Sequence, residues 1–276
     1  MIKDLVVNLP VDTKPVAAAD YAISIAEAFS AHISGIAFAY EPVVAPTVMG
    51  GVPADWIEAQ RAESAKAANA SIARFESAAK RAGLSAEHRM LAVTVGAAAD
   101  QFGRIARRFD LSVVGQTEPD RPAPEELIAE SALFESGRPV VVVPYIQKQG
   151  LKLERVLVCW DGGRTATRAI ADAMPFLRRA KSIDVVMVAS GRSKSDDVPG
   201  ADIAQHLARH DLKIEVKRIV ASDIDVPNTI LSYAADSSAD FLVMGGYGHS
   251  RLREFVMGGA TRGILSSMTI PVLMSH

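Results

Sequence analysis

The sequence holds one cysteine, Cys159, in 276 residues, so no intrachain disulfide can form and a disulfide-stapled secreted scaffold is excluded. No apolar run approaches the roughly 18 residues that a membrane-spanning helix needs. The N-terminus passes from Ile2 and Lys3 straight into a strand-like Leu5-Val6-Val7, without the apolar core and cleavage site of a signal peptide. Net charge is nearly missing as well. The 30 basic and 32 acidic residues give −2 at pH 7, without the basic excess expected of a dedicated nucleic-acid binder. These absences lead to the expectation of a cytoplasmic protein that partners neither membrane nor nucleic acid. Disorder is excluded too, because 49% hydrophobic content over this length supplies two ordinary cores.

What is present is an internal repeat with a period near 150 residues, too long for a solenoid and right for a duplicated domain. Leu5-Val6-Val7-Asn8-Leu9 matches Val156-Leu157-Val158-Cys159-Trp160, and Ile33 to Tyr40 matches Ile183 to Ser190. Asp110-Leu111-Ser112-Val113-Val114-Gly115 matches Asp240-Phe241-Leu242-Val243-Met244-Gly245, and Arg138-Pro139-Val140 matches Ile270-Pro271-Val272. The expected domains are residues 1–146 and 151–276, joined by the polar Gln147-Lys148-Gln149-Gly150. In each copy apolar strands alternate with helical stripes such as Ala169, Ile170, Ala173, Phe176 and Leu177. That alternation predicts two doubly wound α/β domains with parallel five-stranded sheets. Copy one adds a Pro, Val and Gly-rich loop, Glu41 to Ala54, and a long Ala-rich helix from Asp55 to Arg81, where copy two has only a short polar stretch.

The most informative segment runs from Phe241 to Ser267. An apolar strand, Phe241 to Met244, breaks into Gly245-Gly246-Tyr247-Gly248, and a second group, Gly258-Gly259-Ala260-Thr261, opens the next helix. Residues without a β-carbon at a strand's end let backbone N–H groups approach an anion, and a helix N-terminus favours negative charge. No Gly-Lys-Ser/Thr follows these glycines and no Gly-x-Gly-x-x-Gly is formed, so neither a Walker loop nor a dinucleotide fingerprint is present. The spacing Gly245-x2-Gly248-x9-Gly258 instead resembles the nucleotide-binding signature of the universal stress protein family. In that signature the last glycine is normally followed by Ser or Thr. Here the position is Gly259, which lacks the hydroxyl donor but keeps the backbone amide.

The resemblance covers essentially the whole chain. It implies the adenine nucleotide alpha hydrolase-like fold and a ligand, ATP with Mg²⁺, in the second copy. Carried over residue by residue, it implies a site built from Trp160, Asp161, Val188, Met244, Gly245, Gly248, His249, Gly258, Gly259, Ala260 and Thr261. Asp161 matches the family's aspartate that contacts adenosine, and its carboxylate can accept from an amino group or ribose hydroxyls. Val188 matches a position lining the base pocket. Trp160 replaces a smaller residue and either stacks on the base or crowds it.

Copy one keeps the elements and loses the site. Glu118 occupies the second glycine position, Glu126 and Leu127 fall at the later glycine pair, and Asp120, Glu125 and Glu130 add negative charge. At an effective dielectric near 20, one carboxylate about 6 Å from a phosphate charge repels it by roughly 3 kcal/mol. Copy two instead offers His249, Arg251, Arg253 and Arg262, opposed by Glu254. His206 and His210 have metal-like i,i+4 spacing but no evident third ligand, so no metal site is expected. No nucleophile and base pair is apparent. The implied role is nucleotide-dependent stress-response regulation through an unknown protein partner. An interaction scaffold without nucleotide and a weak ATPase are the alternatives. Finally, Pro139 and Pro271 open short apolar strands suited to sheet edges, where proline's missing N–H is tolerated. Their mutual pairing would make an intrachain pseudo-dimer, with a further homodimer of chains left open.

Overall fold

A computed structural model of the chain describes residues 1–11, 17–43, 53–118, 124–190, 200–221, 225–247 and 259–276. The chain folds into two compact units, one comprising 1–138 with 148–151, the other 139–147 with 152–276. Gly248, His249, Arg251, Arg253, Glu254, Gly258, Asp120 and most of the loop after Glu41 lie outside the described residues. Among the described residues, no helix is long and apolar enough to cross a membrane.

The first unit runs β1 (Asp4–Leu9), α1 (Ala17–Phe29), β2 (His32–Tyr40), α2 (Ala54–Arg81), β3 (Ala86–Val93), α3 (Val95–Ala106), β4 (Leu111–Gly115) and α4 (Glu125–Glu135). Its strands lie in the order β3-β2-β1-β4, all parallel. Five of the six β1 residues are buried, because helices cover both faces of the sheet and leave no solvent side for alternation. Helix α2 buries Ala68, Ser71, Ile72, Phe75 and Ala79, a stripe confined to its C-terminal half.

The second unit contains β5 (Val140–Val143), β6 (Arg155–Cys159), α5 (Arg164–Leu177), β7 (Ser182–Ser190), α6 (Ala201–Ala208), β8 (Ile214–Ala221), α7 (Val226–Asp236), β9 (Phe241–Gly245), α8 (Ala260–Ser267) and β10 (Val272–Ser275). The strand order is β5-β10-β9-β6-β7-β8. All pairs are parallel except β5 with β10, where Val142, Val141 and Val140 oppose Val272, Leu273 and Met274. The two proline-opened segments therefore pair with each other, as their sequences suggest. The units consequently hold four and six strands where the repeat predicts five and five, because β5 clusters with the second unit. On α5, Ala166, Ala169, Ile170, Ala173, Phe176 and Leu177 form the buried stripe, and Phe176 stacks on Phe241 at a centroid distance of 5.1 Å.

The duplication is visible in individual hydrogen bonds. Asp110, just before β4, accepts from the N–H groups of Lys3 and Asp4 through Oδ2, at 2.8 and 3.2 Å. Asp240, just before β9, accepts from the Glu154 N–H in the same way at 2.9 Å. The Asp110 and Asp240 amides in turn donate to the carbonyls of Asp4 and Arg155. Each copy thus uses one aspartate to tie the fourth strand's start to the first. The copies differ most in the helix after the second strand, which has 28 residues as α2 and eight as α6.

Candidate functional site

Chain order reverses between β9 and β6, whose parallel C-terminal ends leave the sheet at one edge, and open α/β sheets bind ligands at such points. The two strands are paired up to Val158 and Val243, and Trp160 and Gly245 each lie two residues beyond that pair. Trp160 is half-buried, and its N–H donates to the Val186 carbonyl at 2.9 Å. Asp161 is exposed and accepts the Gly163 N–H through Oδ1 at 2.7 Å. Gly162 between them has φ +74°, a left-handed conformation that glycine adopts without cost. Asp161 therefore shapes the turn into α5, with its second oxygen still able to accept from a ligand.

Gly245 is set by packing. A β-carbon there would lie 2.5 Å from Thr165 Oγ1 and 2.6 Å from the Ala166 amide nitrogen, so the end of β9 touches the first turn of α5. The following residues are held by named bonds. The Gly246 N–H donates to the Ser275 carbonyl at 2.9 Å, and His276 Nδ1 lies 3.1 Å from the Gly246 carbonyl. Tyr247, with φ +49°, donates its N–H to Thr261 Oγ1 at 3.0 Å. Thr261 is 3% exposed, so its hydroxyl clamps the glycine turn onto α8. Gly259 caps α8 with no side-chain hydrogen bond. The first-turn amides of that helix thus lack a side-chain acceptor from their own cap, the condition under which a helix N-terminus receives an anion.

Of the expected ligand residues, Trp160, Asp161, Gly245, Gly259, Ala260 and Thr261 lie at the ends of β6 and β9 and the start of α8. Met244 is buried within β9, and Val188 is half-buried in β7, two residues beyond the carbonyl that Trp160 uses. Gly248, His249 and Gly258 lie outside the described residues. Sequence reasoning missed Thr165, Ser275 and His276, which support the glycine turn. The register of β10 with β9 places Ser275 opposite Gly245, a relation that only the structure shows. Cys159 closes β6, and burial, followed by the Asp161 charge, pushes its thiol up to about 12. A neutral, unreactive thiol results at physiological pH.

The same edge of the first unit is differently furnished. Asn8, the counterpart of Cys159, is 1% exposed, and neither amide atom has a hydrogen-bond partner. Glu125 sits in the first turn of α4, the counterpart of α8, and is 7% exposed. Burial, followed by the Glu125 charge, raises the Tyr40 phenol well above its ordinary range. The helix N-terminus that could face an anion in this copy already carries a buried carboxylate of its own. Among the described residues no group of three His, Cys, Asp or Glu side chains is placed to hold a metal, and His206 and His210 meet edge to face at 5.0 Å.

Residues 152–276 match the model of the universal stress protein family. A 139-residue stretch is 28% identical to universal stress protein Slr1230 of Synechocystis, and the match covers 49% of this chain. It covers 46% of that protein, so the chain spans less than half the length of this curated relative. Over 99% of its length the chain shares the fold of a universal stress protein from Archaeoglobus fulgidus, with TM-score 0.73, 14% identity and 95% of that chain covered. A putative universal stress protein from Pseudomonas aeruginosa is similar over 99% of this chain and 93% of its own, with TM-score 0.61 and 16% identity. The fold is thus a duplicated universal stress protein fold. The family match thus falls on the C-terminal region, residues 152–276, which is similar in sequence to universal stress proteins.

Proposed function

We propose that the C-terminal domain, residues 151–276, binds one adenine nucleotide, ATP with Mg²⁺, and that the chain works as a nucleotide-dependent stress-response regulator. The N-terminal domain, residues 1–146, is a non-binding partner in this reading. The observation that carries it is the glycine turn after β9, pinned between α5 and α8 at the switch point, beside a helix N-terminus that has no side-chain cap. These residues fit a polyphosphate. Backbone N–H groups of Gly259, Ala260 and Thr261 would receive phosphate oxygens, Arg262 is exposed one residue on, and Asp161 and Trp160 would face the nucleoside. Bound Mg²⁺ would neutralise phosphate charge, and with few carboxylates nearby the phosphates and water would supply most of its ligands.

Two experiments test this. Mass spectrometry of the small molecules released by denaturing freshly purified protein is expected to find an adenine nucleotide at near one per chain. A protein that carries none and takes up none on incubation with ATP and Mg²⁺ supports the scaffold reading instead. Gly259→Ser supplies the hydroxyl normally present in the family signature. Gly259 has φ −53° and ψ 148°, angles open to any residue, and serine is favoured at a helix cap, so the variant is expected to fold with unchanged or slightly higher Tm. One added hydrogen bond to a charged group contributes about 1.5–3 kcal/mol, so calorimetry should show ATP binding tightened by about tenfold or more. Unchanged affinity in a normally folded variant would show that the new hydroxyl caps its own helix.

A further inference from the structure

The shortness of α6 leaves a second feature, at the sheet edge away from the glycine turn. In the first unit the long α2 reaches β3 through an ion pair, Glu76 with His88 at 2.9 Å. In the second unit the corresponding helix lines a space at the starts of β7 and β8 with Ala201, Ala204, Gln205 and Ala208, and no aromatic side chain among the described residues lines it. An open groove of about 820 Å³ results, lined by the apolar Ile183, Leu212 and Ile214, by Arg155, Lys181 and Lys213, and by the carboxylates of Asp184 and Glu215. Its volume falls among ordinary small-ligand sites of about 300–1,000 Å³.

The charges around it are not evenly matched. Asp184 is 1% exposed and already accepts from Arg155 Nη1, at 3.2 and 2.9 Å, and from the Tyr233 hydroxyl at 3.0 Å. Glu215 is held by Lys217 at 2.6 Å, and Lys181 by Glu154 at 2.7 Å. Both carboxylates of the wall are thus neutralised, whereas Lys213 has no ion-pair partner among the described residues. Arg155 bonds Asp184 through one terminal nitrogen, and its remaining N–H groups can serve a second acceptor.

We infer that this groove binds a small amphipathic monoanion, a carboxylate on an aliphatic or aromatic body. The apolar part lies between the alanine face of α6 and the isoleucines of β7 and β8, and the carboxylate meets Lys213 and Arg155. An alkyl cation finds the same apolar floor but the wrong charge at the rim. Octanoate and octylamine therefore serve as matched probes, titrated into isotope-labelled full-length protein and followed by NMR. Octanoate is expected to give saturable shifts confined to α6 and the first residues of β7 and β8, with octylamine at least fivefold weaker. Ala204→Trp fills the groove and is expected to weaken octanoate at least tenfold. Lys213→Glu, a surface change that leaves the core untouched, is expected to weaken it severalfold and narrow the preference over octylamine. Shifts that do not saturate, equal binding of the two probes, or wild-type affinity in folded Lys213→Glu would each overturn the inference. Nucleotide plays no part in this titration, so the outcome stands apart from the reading of the glycine turn.

Discussion

Gly245→Ala is expected to lower the melting temperature and abolish measurable nucleotide binding together. The new methyl group would sit 2.5 Å from Thr165 Oγ1 and 2.6 Å from both the Thr165 carbonyl carbon and the Ala166 amide nitrogen. Rotating the Thr165 side chain relieves the first contact, but the other two are backbone and require α5 to shift. Overpacking of this kind costs about 1–3 kcal/mol, and two backbone contacts argue for the upper end. For a domain of this size that corresponds to a fall of roughly 6–12 °C. The displaced first turn of α5 carries Asp161's partner Gly163 at its start, so the Asp161 end of the candidate site moves with it. Differential scanning calorimetry and ATP titration of the same preparation check both effects. Gly96→Ala is the control, because a β-carbon there meets nothing within 4 Å and the position is helical. That variant should be neutral or slightly stabilising, as alanine has the higher helix propensity. A Gly245→Ala protein with wild-type Tm would show that packing against α5 does not require glycine.

A fragment of residues 151–276 is expected to self-associate more strongly than one beginning at Pro139. Every residue of β5 is buried, and Val141 and Leu273, which oppose each other, are 0% exposed. Removing β5 strips one side of β10 of its partner, leaving a row of N–H and C=O groups beside an apolar surface, a template for pairing with another chain. Four valines worth about 1.5–3 kcal/mol each on full burial make the loss several kcal/mol. Analytical ultracentrifugation of the two fragments decides it. A monomeric, stable 151–276 fragment would mean that the β5 pairing contributes little.

Much of this organisation was legible in the residues. The repeat placed both copies' strands, because strands buried on two faces read as unbroken apolar runs such as Val156 to Val158. The pairing of the proline-opened segments was legible too, from an apolar edge needing a partner. Their grouping was not, since β5 follows copy one in sequence and clusters with the second unit through contacts with β10. Gly245 was read as room for an anion, and the structure adds a nearer neighbour, the first turn of α5. Thr261 was read as a ligand residue, yet its hydroxyl accepts the Tyr247 N–H, a contact between residues 14 positions apart that no local pattern announces. Asp161 was read as a ligand contact. Its bond to Gly163 adds a turn-forming role and leaves one carboxylate oxygen unused by that bond. Asp184 escaped notice because an acidic residue in an apolar strand has no signature of its partners, Arg155 and Tyr233, far off in the chain.

The asymmetry between the copies is the centre of the account: the second presents an uncapped helix N-terminus beside a clamped glycine turn, and the first puts the buried Glu125 carboxylate at the equivalent helix. Isothermal titration of nucleotide-free, full-length protein with ATP and Mg²⁺ tests it most directly. The expected result is saturation at one equivalent per chain, lost in Gly245→Ala and retained in Glu125→Gln. Saturation at two equivalents, or at one equivalent that survives Gly245→Ala, would contradict it.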